Sequence, residues 1–146
     1  MDQLRIAVAQ INPIAGDISR NLELHIAAYE EAAENADLVI FSESSLTGYP
    51  IGDLALHEQF LKDCMQANDT LVELTEGEGR PGILFGTLIV DESVEPPFYA
   101  YGARHRRMKG VTFNAALLGE NGDVIGKRYK RSLPTFGPFD EARWFE

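Results

Sequence analysis

The feature that most constrains this fold is the alternation of short apolar runs with longer amphipathic segments. The apolar runs cover residues 4–11, 37–41 and 83–90, and they are rich in β-branched side chains. Runs of this length and composition are typical of buried strands. Two longer segments with helical periodicity separate them. The order strand, helix, strand, helix, strand is therefore predicted for the first ninety residues.

The helical periodicity is clear in both intervening segments. In the first, Asp17 or Ser19 is a suitable N-cap. Its predicted buried stripe, with the spacing of an amphipathic helix, consists of Leu22, Ile26, Tyr29 and Ala33. In the second segment the predicted buried stripe consists of Leu56, Phe60, Cys64, Ala67, Leu71 and Leu74.

A hairpin follows the third strand. Two apolar runs, residues 111–118 and 123–129, flank the turn 119–122, which contains Asn121-Gly122. Asn-Gly between apolar runs is the strongest short-range hairpin signal. The whole order predicts an α/β layered domain, and the continuously apolar strands predict a sheet that is covered on both faces.

Composition excludes several classes of protein. The 146 residues suffice for one domain, and no apolar run approaches the ~20 residues of a membrane helix. The N-terminus has no secretory pattern, so we expect a cytoplasmic protein with no membrane partner. A single cysteine excludes an internal disulfide, and the three scattered histidines give no metal-ligand spacing. The net charge of −10 argues against nucleic-acid binding, and the basic run 104–109 is interpreted as a solvated loop or a subunit contact.

Two residues have the chemistry of an acyl-transfer site. Glu43 follows the apolar run 37–41, and Lys130 follows the run 123–129. A carboxylate in this position is often only a helix cap. However, ligand crevices form at the carboxyl ends of strands in open α/β sheets. A glutamate can exchange protons with a thiol and a leaving amine, and a lysine can stabilise an oxyanion. We therefore expect Glu43 and Lys130 to meet at one end of the sheet.

The nucleophile of such a site is not evident among these residues. Cys64 lies in the predicted buried stripe of the second helix, where apolar surroundings raise the pKa of a thiol and make it inert. We expect Cys64 to be structural. A nucleophilic cysteine is instead expected after Lys130 in sequence, beyond Glu146.

Local motifs around Glu43 and Lys130 resemble those of a known family. Glu43 is followed by Leu-Thr-Gly-Tyr-Pro at residues 46–50 and by Asp-Leu at 53–54. Lys130 is followed by Leu-Pro at 133–134, Gly137 and Phe-Asp-Glu at 139–141. Over essentially its whole length the chain resembles the nitrilase superfamily, and within it the N-terminal glutaminase domains of glutamine-dependent NAD synthetases. It departs from the pattern at Ser42, where the family usually has proline, and in the loop 104–109.

The resemblance implies a fold and residue roles. The fold would be the N-terminal half of the αββα nitrilase-type sandwich, with residues 1–146 forming a partial glutaminase domain. Glu43 would be the general base and Lys130 the oxyanion-stabilising cation. Tyr49 and Phe136 would shape the glutamine pocket. Glu141 would support the catalytic residues or the substrate amine.

The resemblance also implies partners and cofactors. The intact enzyme would hydrolyse glutamine through a cysteine thioester and pass ammonia to an ATP-dependent, magnesium-dependent synthetase domain that amidates deamido-NAD. No cofactor is expected within these residues. Without the cysteine segment and the synthetase domain, we expect this polypeptide to be inactive, marginally stable as a monomer and prone to form a homo-oligomer. Two alternatives stay open: a free-standing nitrilase-family amidase and a non-catalytic assembly module.

Overall fold

The computed structural model describes residues 3–94, 110–137 and 139–146. Within these residues, two α-helices pack against a five-stranded sheet, and a two-stranded ribbon lies near the C-terminal end. The helices are α1 (Ile18–Ala33) and α2 (Glu58–Glu73), and the strands are β1 (Ile6–Val8), β2 (Leu38–Ile40), β3 (Gly82–Asp91), β4 (Val111–Glu120), β5 (Asp123–Tyr129), β6 (Thr135–Phe136) and β7 (Phe139–Asp140). Short 3₁₀ helices span Gly52–Leu56 and Glu141–Arg143.

The main sheet is mixed and its strands follow chain order, β1-β2-β3-β4-β5. The first two pairings are parallel, with Ala7 opposite Val39 and Val39 opposite Ile83. The last two are antiparallel. The predicted order of elements and the hairpin are therefore confirmed.

Both helices lie on the same face of this sheet, because they contact each other as well as the strands. The N-cap of α1 is Asp17, whose carboxylate accepts a hydrogen bond from the Arg20 amide at 3.0 Å. The buried side of α2 includes Phe60, Cys64 and Leu71. These side chains pack on Ile83, Phe85 and other inward-facing residues of the sheet to form the hydrophobic core.

The prediction of a sheet covered on both faces is confirmed for the central strands β3 and β4 but is wrong for β1 and β5. Leu88, Thr112 and Asn114 lie on the face opposite the helices and are all buried. Strand β1 is shorter than the predicted run 4–11 and lies at the sheet edge, where Ile6 is 50% and Val8 79% exposed. The helices cover only the face to which Ala7 and Val39 belong. Continuously apolar strands are therefore covered on both faces at the centre of the sheet, whereas the edge strand β1 leaves apolar side chains exposed.

The predicted buried stripe of α1 is displaced from the observed one. The fully buried residues of this helix are Ile18, Asn21, His25 and Tyr29. Of the predicted stripe only Tyr29 belongs to this set, and the others are partly buried. An apolar pattern cannot indicate Asn21 and His25, because polar side chains become buried only when the fold supplies hydrogen-bond partners.

Some sequence predictions concern residues at the limits of the description. The segment 130–146, predicted to be irregular, contains the short ribbon β6-β7 and one 3₁₀ turn. The basic run 104–109 lies outside the described residues. Among the residues that are described, no helix combines the length and the apolar character needed to cross a membrane.

Candidate active site

Glu43 lies in a loop, residues 42–48, that crosses the face of the sheet opposite the helices directly after β2. The Phe41 amide donates to the Leu84 carbonyl at 2.8 Å, so strand pairing is kept to the start of the loop. The loop then passes over Gly86 of β3, and the Leu46 amide donates to the Gly86 carbonyl at 3.1 Å. An added Cβ at Gly86 would lie only 2.7 Å from the Glu43 Cα. The absence of a side chain at Gly86 therefore allows Glu43 to lie on the sheet.

Lys130 is placed by the pairing of β4 and β5. Its amide donates to the Asn114 carbonyl at 2.8 Å, just beyond the last ladder pair, Ala115 with Tyr129. Asn114 belongs to β4 and is buried. The backbone pairing therefore brings the side chains of Lys130 and Asn114 to one place.

The two predicted residues meet. Lys130 Nζ lies 2.8 Å from Glu43 Oε1, and Asn114 Nδ2 donates to the same oxygen at 2.9 Å. The prediction that Glu43 and Lys130 approach each other is confirmed. Their catalytic roles stay predictions.

Glu141 completes an ion cluster with Glu43 and Lys130. Its Oε2 lies 2.9 Å from Lys130 Nζ, and its Oε1 accepts a hydrogen bond from the same nitrogen at 3.1 Å. The Oε2 contact is an ion pair without hydrogen-bond geometry. The Glu141 side chain is only 4% exposed, against 28% for Lys130 and 57% for Glu43. Its amide donates to the Pro134 carbonyl at 2.9 Å. One lysine thus bridges a buried and an accessible carboxylate.

The ion cluster shifts the pKa values of its members. The hydrogen bond from Lys130 lowers the pKa of Glu43 against the opposing effect of burial, and the Asn114 amide lowers it further. Burial alone would lower the pKa of Lys130, but the bonds to Glu43 and Glu141 outweigh it and raise that pKa. Lysine and Glu43 carboxylate are therefore both charged near neutral pH.

A cavity of about 380 Å³ opens beside the ion cluster. Its polar wall includes Glu43, Lys130 and Glu141, and its aromatic wall is formed by Tyr49, Phe136 and Phe139. Tyr49 stacks on Phe139 with ring centroids 5.9 Å apart, and Phe136 meets Phe139 edge-on at 5.7 Å. Burial, and next the Glu141 carboxylate, raise the pKa of Tyr49. One cavity is thus lined by all five site residues predicted from the sequence: Glu43, Tyr49, Lys130, Phe136 and Glu141.

Sequence reasoning assigned no role to two residues of this site. The ring of Phe139 contacts both Tyr49 and Phe136. Phe136 is 70% exposed. Asn114 donates to Glu43. The available signals were the position of Phe139 two residues before Glu141 and the position of Asn114 in the strand next to β5.

Cys64 lies on the opposite side of the sheet from this cavity. It is fully buried on α2, and its Sγ lies 3.3 Å from Thr87 Oγ1. Burial raises the pKa of the thiol. The predicted burial is confirmed, and the inertness of Cys64 stays a prediction. Within residues 3–94, 110–137 and 139–146, no group of three or more histidine, cysteine, aspartate or glutamate side chains forms a possible metal site.

The arrangement has two chemical capabilities. A carboxylate facing a cavity can accept and return a proton. A lysine ammonium fixed by two carboxylates can stabilise a developing oxyanion. Both bonds to Glu43 from Lys130 and Asn114 fall on Oε1. Within the described part of the chain no hydrogen bond falls on Oε2, so this oxygen could exchange a proton.

Curated proteins similar to this chain include glutamine-dependent NAD(+) synthetases. The chain is 33% identical over 147 residues to a glutamine-dependent NAD(+) synthetase of Thermotoga maritima, covering 100% of this chain and 22% of the relative. The structure of the glutamine-dependent NAD+ synthetase of Acinetobacter baumannii, solved with ADP, superposes with a TM-score of 0.81 at 29% identity, covering 100% of this chain and 24% of that one. The chain therefore spans less than a quarter of the length of these relatives.

A more distant structure shares only the fold. An amidase of the nitrilase superfamily from Nesterenkonia AN1 superposes with a TM-score of 0.64 at 18% identity, covering 95% of this chain and 46% of the amidase. The predicted nitrilase-type α/β fold and the resemblance to NAD synthetases are thereby confirmed. A family model for carbon-nitrogen hydrolases matches residues 5–146, nearly the whole sequence. The chain belongs to the carbon-nitrogen hydrolase family.

Proposed function

We propose that this chain forms the base-bearing and oxyanion-binding part of the glutaminase domain of a glutamine-dependent NAD synthetase. The observation that carries the proposal is the Lys130 ammonium, 2.8 Å from Glu43 Oε1 and 2.9 Å from Glu141 Oε2, in the wall of a cavity with aromatic sides. The curated synthetases similar to this chain support glutamine as the substrate.

In the proposed reaction Glu43 acts twice. Its carboxylate first accepts the proton of a cysteine thiol, and the thiolate sulfur attacks the side-chain amide carbon of glutamine. Glu43 then returns the proton to the leaving nitrogen, and the C–N bond breaks to give ammonia and a thioester. In the second half Glu43 deprotonates water, which attacks the thioester and releases glutamate and the thiol.

Lys130 stabilises the negative oxygen in both tetrahedral intermediates. Glu141 fixes the ammonium of Lys130 from the buried side, since both of its oxygens lie within 3.1 Å of Nζ. Tyr49 and Phe136 line the space for the glutamine side chain.

The proposed nucleophile is a cysteine outside these 146 residues. Cys64 is the single cysteine of the sequence and is buried. It lies on the helical side of the sheet, whereas Glu43 lies on the other face. Taken alone, these residues are therefore proposed to be inactive. The synthetase partners, ATP, magnesium and deamido-NAD, belong to the proposed synthetase domain, and no described residue is assigned to them.

A cytoplasmic location and assembly into a homo-oligomer are further parts of this proposal. A lone buried cysteine is compatible with a reducing compartment. The exposed apolar side chains of the edge strand β1, Ile6 and Val8, favour association with further protein.

The test is ammonia release from glutamine by the intact protein and by Glu43→Gln, with Glu31→Gln as the control on the exposed surface of α1. Glu43→Gln is expected to lower kcat by about 10²- to 10⁴-fold, the usual contribution of a general base. Equal activity of Glu43→Gln and Glu31→Gln refutes the proposal. Hydrolysis of simple amides without any ATP-dependent amidation of deamido-NAD favours the free-standing amidase instead.

A further inference from the structure

We propose that Asn21, His25 and Ser45 form a buried polar bridge from helix α1 to the loop 42–48, and that this bridge positions Glu43. The three bridge residues are not among the residues that line the cavity, so we assign them a positioning role rather than a catalytic one. The catalytic consequence of the inference depends on the proposed function, but the geometric claim does not.

The loop 42–48 has a strained backbone, so contacts from outside the loop must stabilise its conformation. Ser44, directly after Glu43, has a φ of 52°, and Gly48 has a φ of 68°. A left-handed conformation is unfavourable for a non-glycine residue, because its Cβ comes too close to the following carbonyl oxygen. A Cβ at Gly48 would lie 2.6 Å from the Ala15 backbone, so this end of the loop is tightly packed. Such a conformation persists only when its surroundings determine it.

Asn21 supplies the first part of the bridge. It is fully buried, and its Nδ2 donates to the Leu46 carbonyl at 2.9 Å and to the Ile14 carbonyl at 2.8 Å. Its Oδ1 accepts from the Ile14 amide at 2.7 Å. One side chain thus joins the loop that precedes α1 to the loop that contains Glu43.

His25 supplies the second part, one helical turn further along. Its Nδ1 lies 2.7 Å from the Asn21 carbonyl, which can only accept, so Nδ1 carries the proton. Burial lowers the pKa of His25, which keeps the ring neutral. Nε2 is therefore an acceptor, and the Ser45 hydroxyl donates to it at 2.9 Å. The ring also packs against Phe41 in a tilted arrangement, with centroids 4.4 Å apart, and so contacts the chain on both sides of Glu43.

The polar character of the bridge indicates a positional requirement. Asn21, His25 and Ser45 are all 0% exposed in a core that is otherwise largely apolar. Burying hydrogen-bonded polar groups brings little net stability, but hydrogen bonds fix direction in a way that apolar contacts do not. Because Ser45 and Leu46 lie two and three residues after Glu43, fixing them fixes the Glu43 backbone on Gly86.

The experiment compares Ser45→Ala with Thr75→Val in the intact protein. Both substitutions remove one fully buried hydroxyl, but Thr75 bonds to Val72 and Gly122 at the far end of α2. We expect Ser45→Ala to lower kcat for glutamine hydrolysis on the order of 10- to 100-fold, with KM within about threefold of the wild type, because the base is misplaced. Thr75→Val should leave both constants near wild type.

A second readout does not depend on activity. The pKa of Glu43 is followed by ¹³C NMR of its side-chain carboxyl, assigned by its absence in Glu43→Gln. Displacement of the loop lengthens the bond to Lys130, so the pKa of Glu43 should rise toward its ordinary value of 4.5 in Ser45→Ala and stay unchanged in Thr75→Val. His25→Phe, which retains a ring between Phe41 and Phe85, should reproduce the Ser45→Ala result.

The outcomes separate the two proposals. An unchanged pKa of Glu43 in Ser45→Ala and His25→Phe overturns the positioning role, as does an equal loss of kcat in Thr75→Val. A wild-type protein that does not hydrolyse glutamine refutes the proposed function. The titration of Glu43 then decides the positioning role by itself.

Discussion

Replacement of Gly86 by alanine is the sharpest perturbation of the site, because it acts on Glu43 through the backbone alone. The added Cβ would lie closest to the Ser44 amide nitrogen, and 2.7 Å from both the Glu43 Cα and the Ser42 carbonyl oxygen, where ordinary contact begins at 3.4 Å. The loop must therefore move by more than about 0.7 Å. Such overpacking costs roughly 1–3 kcal/mol of unfolding free energy. Misplacing a catalytic group by about 1 Å costs on the order of 10²-fold in rate.

Gly126→Ala is the matched control. Gly126 lies in β5, and a Cβ there would meet the Leu118 side chain at 3.5 Å, an ordinary contact. We expect Gly86→Ala to lose about 1–3 kcal/mol in urea denaturation. Its kcat for glutamine hydrolysis should fall about 10- to 100-fold. Gly126→Ala should be close to wild type in both assays. Wild-type activity of Gly86→Ala, or equal losses in both variants, would show that the loop does not depend on this contact.

Three further predictions concern the thiol, the ion cluster and the core. The buried Cys64 should react with a thiol reagent only after denaturation. Because hydrogen bonds from Lys130 lower the pKa of Glu43 in the folded state, the stability that Glu43 contributes should be complete above about pH 4.5 and be lost as pH falls below it, as measured by urea denaturation of wild type and Glu43→Gln. Tyr29→Phe removes the 2.6 Å hydrogen bond to the buried Pro81 carbonyl and should cost about 1–3 kcal/mol of unfolding free energy.

Each of these three predictions has an outcome that would contradict it. Rapid labelling of native Cys64 would show that its helix opens readily. A stability difference between wild type and Glu43→Gln that is constant from pH 7 to pH 3 would mean that the pKa of Glu43 is not lowered by folding. Wild-type stability of Tyr29→Phe would mean that water replaces the lost donor. The control for Tyr29→Phe is Tyr129→Phe, which removes a hydroxyl that is only partly buried and donates to Asp91.

The sequence by itself determined the features that rest on local pattern. Short continuous apolar runs rich in β-branched residues specified the strands, and longer segments with a period of 3.6 residues specified the helices, so their order could be predicted. Asn121-Gly122 specified the hairpin turn, where φ is 53° and 80°, since these residues tolerate positive φ. The stripe of α2 specified the burial of Cys64. The motifs around Glu43 and Lys130, through the family resemblance, indicated the residues of the site.

Only the tertiary structure decided the features that depend on distant partners. Asn21 and His25 are buried because the loop 42–48 supplies acceptors and donors from across the core. Lys130 is shared between Glu43 and Glu141 because β5 and the 3₁₀ turn at Glu141–Arg143 converge on the end of β2. The exposure of β1 follows from its place at the edge of the sheet. Local sequence does not specify these relations, since each depends on groups that are brought together only when the chain has folded.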